Sequence, residues 1–443
     1  MALCKSLSSP KRVPSSDKKS VDFYHYYAGF SPKFVRDVLT CIDINPNAII
    51  MDPWNGSGTT TQVARNLGFS AIGFDINPVM IIVAKAKLLN CTNAIKQKLL
   101  LNLKSIIETA ESFQGEQFLY GDPLETWVEP ESAICFRDLE RAVQLRFIGD
   151  QYTVIYARKS LASISDIASF YYLALFKTLR KFLIAYVSSN PTWIKKPLKK
   201  DELIHPTSEE IYMELQKQVH DMMNALVTDE LNNYGTNSAI TQIERASSES
   251  IPLPNSSVDI VISSPPYCTR IDYAVATSPE LAMLGCSMEN DLKILRDSMI
   301  GTPTINGGIS KIKSEWGPSI ESFLKIVEIH DSKAAKSYYH KNYIQYFNTI
   351  YNSLGEINRT LVKSGQCILV VQDSYFKGIR NDLPKMYCEM ANSLGWVMLD
   401  RIDYPIKRTM AGCNRRAKKY RSGSEAIESV LIFKKNERGQ LHG

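Results

Sequence analysis

Short apolar runs alternate along this chain with segments of helical period. Ala48-Ile49-Ile50-Met51 ends at Asp52 and a Gly-rich turn, a helix-period stretch spans 59–67, and a second run, Ala71-Ile72-Gly73-Phe74, ends in Asp75. Runs of that length bounded by turn residues read as buried strands, so the segment predicts a strand-helix-strand unit. Five more strands are predicted at 239–243, 258–262, 366–372, 396–402 and 427–433, with helices at 344–361 and 379–394 between some of them. Seven strands interleaved with helices imply an α/β fold with a mainly parallel sheet covered on both faces. Its ligand site is expected at the carboxyl ends of the strands.

Between about 90 and 235 the pattern becomes helical, clearest at 95–113, 164–187 and 208–226. The domain reading is therefore a loose basic arm (1–20), an α/β domain from 21–90 and 236–434, a largely helical insertion (91–235), and a basic C-terminal segment (401–443) overlapping the last strands. Residues 268–340, with Gly301, Gly307, Gly308 and Gly317, are expected to form loops over the site.

Charge sharpens this picture. The net charge is +6, yet 401–443 carries +7 and 1–20 carries +4, leaving −5 for everything between. Basic ends on a slightly acidic body suit a polyanion such as nucleic acid. No run approaches the ~20 apolar residues of a membrane span, and the polar start lacks a secretory core, so no membrane partner and a cytoplasmic location are expected. The nine cysteines are scattered, none in the close pairs that hold zinc, and no metal site is expected.

Two loops carry the candidate chemistry. The first is Asp52-Pro53-Trp54-Asn55-Gly56-Ser57-Gly58-Thr59-Thr60, where a strand hands over to a helix; its glycines permit a tight turn and close backbone approach to a ligand. Asp75 stands 17 residues beyond Gly58 at the end of the next strand, where a carboxylate can accept hydrogen bonds from both ribose hydroxyls of a nucleoside cofactor. The lysine of a phosphate-binding P-loop is absent, which argues against ATP. The second loop is Ser263-Ser264-Pro265-Pro266-Tyr267, following the apolar run at 258–262. Pro265 and Pro266 stiffen its backbone, and Ser264 Oγ, the Pro265 carbonyl and the Tyr267 ring are its candidate functional groups.

Both loops resemble those of S-adenosylmethionine-dependent DNA amino-methyltransferases. Asp-Pro-aromatic-x-Gly-Ser-Gly-Thr, the preceding His25-Tyr26-Tyr27-Ala28-Gly29-Phe30-Ser31-Pro32, and Ser-Pro-Pro-Tyr each look like a motif of that family. The resemblance covers about 21–90 and 238–434. It implies a Rossmann-like class I methyltransferase fold and S-adenosylmethionine as cofactor, held by Tyr27, Phe30, Asp52, Trp54, Asn55, Gly56, Ser57, Gly58, Thr59, Asp75, Ile76 and Ser247. It also implies catalysis by Ser264, Pro265, Pro266 and Tyr267 on a flipped base. Ser-Pro-Pro-Tyr is associated in the family with cytosine-N(4), ahead of adenine-N(6). Where many relatives carry an Asp near the cofactor's adenine, this chain has Ser247 and Ser248.

The motif order, cofactor loop then insertion then second loop, resembles the family arrangement with target recognition between the two, which implies the insertion as the candidate target-recognition domain, with 268–340 as a second candidate. Lys177, Arg180, Lys181, Lys195 and Lys196 are the DNA-contact candidates in the insertion, and Lys407, Arg408, Arg415 and Arg416 those of the tail. The resulting expectation is a site-specific DNA methyltransferase in restriction-modification or phage defence, whose partners are double-stranded DNA and a separate nuclease or defence protein. Adenine-N(6) or RNA-base methylation are the enzymatic alternatives, and a cofactor-binding DNA sensor without turnover is the alternative of another class.

Overall fold

Alternate residues of each central strand turn to opposite faces of one seven-stranded sheet. The computed structural model describes residues 7–11, 23–24, 29–115, 119–149, 151–188, 190, 193–226, 239–268, 271–305, 311–406 and 426–436. Its strands are β1 (Ile49–Asp52), β2 (Ser70–Asp75), β3 (Thr241–Arg245), β4 (Val258–Ser263), β5 (Leu361–Gln372), the short hairpin β6 (Ser374–Phe376) and β7 (Ile379–Asn381), β8 (Trp396–Ile406) and β9 (Ala426–Lys435). The large sheet runs β3-β2-β1-β4-β5-β9-β8. Its first five strands are parallel, and β9 is antiparallel to both β5 and β8. Each of the seven strands expected from the sequence is present, in the order of a Rossmann-like methyltransferase fold.

The two-residue period sorts the core. Ile50, Ile260, Ile262, Ile368, Val370 and Val430 pack under the helices Pro32–Cys41 and Thr59–Asn66. Their neighbours Met51, Val261, Cys367, Leu369, Val371 and Leu431 face the helices Lys341–Thr360 and Leu383–Ser393 instead. Helices on both faces explain why these strands read as continuous apolar runs rather than alternating ones. Strand order reverses between β1 and β4, so the carboxyl ends of those two strands open the crevice where such sheets bind ligands.

The helical insertion shares its core with the sheet domain. Helix Pro78–Lys87 is apolar all round because it is enclosed all round. Val79, Ile82 and Val83 belong to one apolar cluster with Phe136, Phe170, Leu173 and Met222 of the insertion and Leu281 and Met283 beyond it. Lys85 is buried within the seam, its Nζ donating to the carbonyls of Leu161, Ala162 and Ile164 at 2.8, 3.1 and 2.8 Å, just ahead of the helix Asp166–Phe182.

Several boundaries differ from expectation. Helix Pro130–Phe147 was not legible because Arg137, Asp138, Glu140 and Gln144 are buried on it and interrupt the apolar stripe. Within the predicted helix 379–394, Ile379–Asn381 is a strand and the helix starts at Leu383, with Asp382 as its N-cap. Residues 268–340, expected as loops, include the helices Ser278–Met283, Asp291–Ser298 and Pro318–Ile329. Part of the expected loose arm is docked: Leu7 is buried among sheet residues, Tyr404 Oη donates to its carbonyl at 2.7 Å, and the Ser31 N–H donates to the Pro10 carbonyl at 2.8 Å. Among the described residues no helix is long and apolar enough to cross a membrane.

Candidate active site

The two motif loops face each other across the crevice between β1 and β4. They line a cleft of about 910 Å³, measured with its open mouth. Trp54, Asn55, Gly56, Ser57 and Thr59 come from the first loop, Asp75 and Ile76 from the end of β2, and Ser264, Pro265, Pro266 and Tyr267 from the second loop. Phe30 and Ser247 also stand in the wall.

Glycine is required in the first loop for two separate reasons. Gly56 and Gly58 have φ of 47° and 80°, the left-handed region that side chains disfavour. A Cβ on Gly58 would also stand 2.8 Å from the Cβ of Ala84, so the close approach of loop and helix Pro78–Lys87 needs its absence. The helix Thr59–Asn66 starts directly after this turn, leaving N–H groups at its first turn for a ligand. Ser57 Oγ and Asn55 Nδ2 are buried and have no hydrogen-bond partner among the described residues.

Asp75 is the cleft's acidic group. Its Oδ2 accepts from the Gly56 N–H at 2.9 Å and its Oδ1 from the Asn77 N–H at 2.8 Å. Burial pushes its carboxyl up to about 6, against the pull of the Asn77 and Gly56 N–H groups and with some help from the charge of Asp52. Ionised Asp75 is the form that accepts from hydroxyl groups, so nucleoside affinity is held above this value and lost as pH falls through it. Calorimetry should find S-adenosylmethionine binding several-fold weaker at about pH 5 than at about pH 7, and Asp75→Asn should bind weakly with little pH dependence.

The second loop is built as an acceptor. Ser264 Oγ donates its proton to the Val370 carbonyl at 3.3 Å, which leaves its lone pairs for an incoming N–H. Tyr346 Oη donates to the Pro266 carbonyl at 3.1 Å, while among the described residues no donor reaches the Pro265 carbonyl. The half-buried Tyr267 is fixed at its backbone, its N–H donating to Tyr273 Oη at 3.2 Å.

Some expected residues stand elsewhere. Asp52 does not line the cleft; it lies behind it, 1% exposed, accepting the Ser263 hydroxyl and the Trp54 N–H. Gly58 acts through the turn and not as lining. Ser248, weighed beside Ser247, does line the cleft, its Oγ accepting the Trp54 indole N–H at 2.9 Å and sharing a hydrogen bond with Ser353. Arg180, expected on phosphate, is instead paired with the fully buried Glu280 at 2.6 Å, because a carboxylate inside the core needs a cation beside it. Lys177 is half-buried, whereas Lys181, Lys195 and Lys196 are exposed. Tyr27, Lys407, Arg408, Arg415 and Arg416 lie outside the described residues.

The sequence reading also missed part of the wall. Asn77, Met80, Tyr273, Ser298, Met299 and Ile300 line the cleft. Asn77-Pro78 carries a local signal, a helix cap directly after Asp75, its Oδ1 accepting from the Val79 N–H at 3.1 Å. Ser298–Ile300 carries none, since that turn is brought back by partners distant in the chain, such as the ion pair of Arg296 with Asp272 at 2.7 Å.

Known proteins give the same reading. A family model described as DNA methylase (N6/N4 methyltransferase) matches residues 7–86, the docked N-terminal segment through helix Pro78–Lys87. Over that segment the chain is similar to the N4/N6 amino-methyltransferases. It is 25% identical over 307 residues to the Type II methyltransferase M.BsoBI of Geobacillus stearothermophilus, a match spanning 66% of this chain and 57% of that one. Over 103 residues it is 36% identical to the Type II methyltransferase M.MjaII of Methanocaldococcus jannaschii, across 23% of this chain and 19% of the relative. The chain thus spans little more than half the length of the first of these relatives. A crystal structure of a putative sarcosine dimethylglycine methyltransferase from Galdieria sulphuraria aligns over 92% of this chain and 85% of its own, at 9% identity and a TM-score of 0.31.

S-adenosylmethionine is the methyl donor of this family, and the donor set of the cleft fits it. Asp75 would take the ribose hydroxyls, and the Asn55–Gly58 turn with its unpartnered Ser57 hydroxyl the methionine end. When bound, the cofactor would supply an electrophilic methyl group.

Proposed function

We propose that the protein methylates the exocyclic amino group of a base flipped out of duplex DNA, with cytosine-N(4) ahead of adenine-N(6). The observation that carries this reading is the Ser264–Val370 hydrogen bond: it turns the Ser264 lone pairs into acceptors inside the cleft that holds the cofactor loop. Ser264 Oγ and the Pro265 carbonyl would take the two amino N–H groups, so that the nitrogen lone pair leaves the ring's π system. The N–C bond then forms as the methyl–sulfur bond breaks, and the extra proton passes to solvent. A methyl transfer of this kind needs positioning more than a covalent enzyme intermediate. Stacking on Tyr267 offsets part of the unstacking cost of a few kcal/mol.

The charge distribution supports duplex DNA as the substrate. Lys195 and Lys196 are exposed, with Trp193 46% exposed beside them. Ile406 and Ala426, on either side of the basic stretch 407–425 in the sequence, pair with each other beside the carboxyl end of β5. Replacing Lys195 and Lys196 together with alanine should weaken binding at all sequences alike and lower the slope of log K against log salt by about two. By analogy with the Type II relatives, the chain would act in restriction-modification or phage defence beside a separate nuclease.

Single-molecule sequencing of genomic DNA from a methylation-free host expressing the chain tests this directly. A modified base within one short motif, absent with Ser264→Ala, is the expected result, and N(4)-methylcytosine or N(6)-methyladenine settles the base. An unmodified genome would overturn the reading in favour of RNA methylation or of a DNA-binding sensor without turnover. Competition between single-stranded RNA and duplex DNA then separates those two.

A further inference from the structure

Where the second loop begins, β4 is tied to its surroundings at three successive residues. Thr60 Oγ1 donates to the Ile262 carbonyl at 3.2 Å, Ser263 Oγ donates to Asp52 Oδ1 at 2.5 Å, and Ser264 Oγ donates to the Val370 carbonyl at 3.3 Å. Asp52, Thr60 and Ser263 are 1%, 0% and 0% exposed, and none of them lines the cleft. Asp52 is the residue from which the cofactor loop departs, and Thr60 sits in the first turn of the helix into which that loop runs. The loop is therefore fastened at both ends to the strand that delivers Ser264. The oxygen of Asp52 that holds Ser263 also accepts the Trp54 N–H at 3.1 Å, so one carboxylate turns the cofactor loop and grips the catalytic strand.

We infer that Asp52, Ser263 and Thr60 are positioning residues that set the spacing between the cofactor's methyl group and the acceptor nitrogen, by locking the cofactor loop to the catalytic loop. The inference rests on the proposed methyl transfer. Such a transfer depends steeply on geometry, and a misplacement of about 1 Å can cost roughly 10²-fold in rate. Two side-chain bonds between buried groups, Thr60 to the Ile262 carbonyl and Ser263 to Asp52, add to the short parallel pairing of β1 with β4 and remove that freedom. A carboxylate is a stronger acceptor for this purpose than a neutral group. Burial makes it costly, pushing the Asp52 carboxyl up to about 6 against the opposing hydrogen bonds from the Ser263 hydroxyl and the Trp54 N–H. An apolar pair would fill the same space without that cost, but it would not fix a direction.

The test uses the full-length chain with a duplex carrying the motif found by sequencing, at saturating cofactor. Ser263→Ala and the near-isosteric Thr60→Val should each lower kcat by roughly 10- to 100-fold while Kd for S-adenosylmethionine stays within about threefold; Thr60→Ser, which keeps the hydroxyl, should retain most turnover. Losing Ser263 removes a bond that lowers the Asp52 pKa, so the acid limb of kcat should move to higher pH in Ser263→Ala and vanish in Asp52→Asn. A residue that merely supported the fold would not move that limb. Should Ser263→Ala not fold, the comparison of Thr60→Val with Thr60→Ser carries the same test. Unchanged kcat in an active background, an unmoved acid limb, or a loss of cofactor affinity equal to the loss of kcat each overturns the inference. A wild-type chain that transfers no methyl group overturns the proposed function and the inference with it.

Discussion

Ser264→Ala is expected to lower kcat by roughly 10²- to 10³-fold while calorimetric cofactor affinity changes by less than about threefold. The substitution removes the hydroxyl whose proton is committed to the Val370 carbonyl, and with it one of the two groups proposed to pull the amino lone pair out of conjugation. The Pro265 carbonyl remains, so some turnover should survive. Asp75 and the 55–58 turn, which would hold the cofactor, are on other strands and should be unaffected. Tyr267→Ala is the companion: it removes the stacking face without touching Ser264, so the loss should fall more on KM for DNA than on cofactor binding. Equal losses of cofactor affinity and turnover in Ser264→Ala would move this residue from the acceptor side of the cleft to the cofactor side.

Arg137→Ala should destabilise the chain by about 3–5 kcal/mol, the cost of leaving buried carboxylates without their cation. The guanidinium is 2% exposed and donates to both oxygens of Asp122 at 2.9 Å, to Glu140 at 2.9 Å and to the Met283 carbonyl at 2.8 Å. Glu140 is fully buried and also accepts from Tyr172 Oη at 2.6 Å. The last of the Arg137 bonds crosses from the insertion to the segment just after the catalytic loop, so the variant should loosen both. Urea unfolding would read the stability, and amide exchange at 278–284 the coupling. A shift below about 1 kcal/mol would mean that the insertion is held by its apolar seam alone. Replacing Arg137, Asp122 and Glu140 together by apolar residues of similar volume should recover much of the loss, because no unpaired charge then remains.

The α/β character, the seven strands and both loops were legible because each depends on local chemistry. A run such as Ile49 to Met51, buried on both faces, must be apolar throughout. A left-handed turn such as Gly56 to Gly58 must be glycine. Helix Pro130–Phe147 escaped for the converse reason, since its buried charges are tolerable only with partners distant in sequence, Asp122 and the carbonyls of Ala282 and Met283. Arg180 was misread on similar grounds: in a stretch without acidic residues it looked free, but Glu280, 100 residues away, lies against it.

By itself the sequence determined the element types, the sheet's mainly parallel character, and the residue types that a nucleoside pocket and an amino-group acceptor require. Spacing within a strand, turn or helix cap is set by bonds between neighbours in the chain, so one stretch of sequence suffices to read it. Only the tertiary structure decided that Asp52 faces Ser263 and not the cofactor, that Met299 and Ile300 close the cleft, and that the insertion is welded through Lys85, Arg137 and Arg180 to the sheet domain. Those outcomes depend on which groups separated by tens to hundreds of residues meet when burial forces every charge and hydroxyl to find a partner.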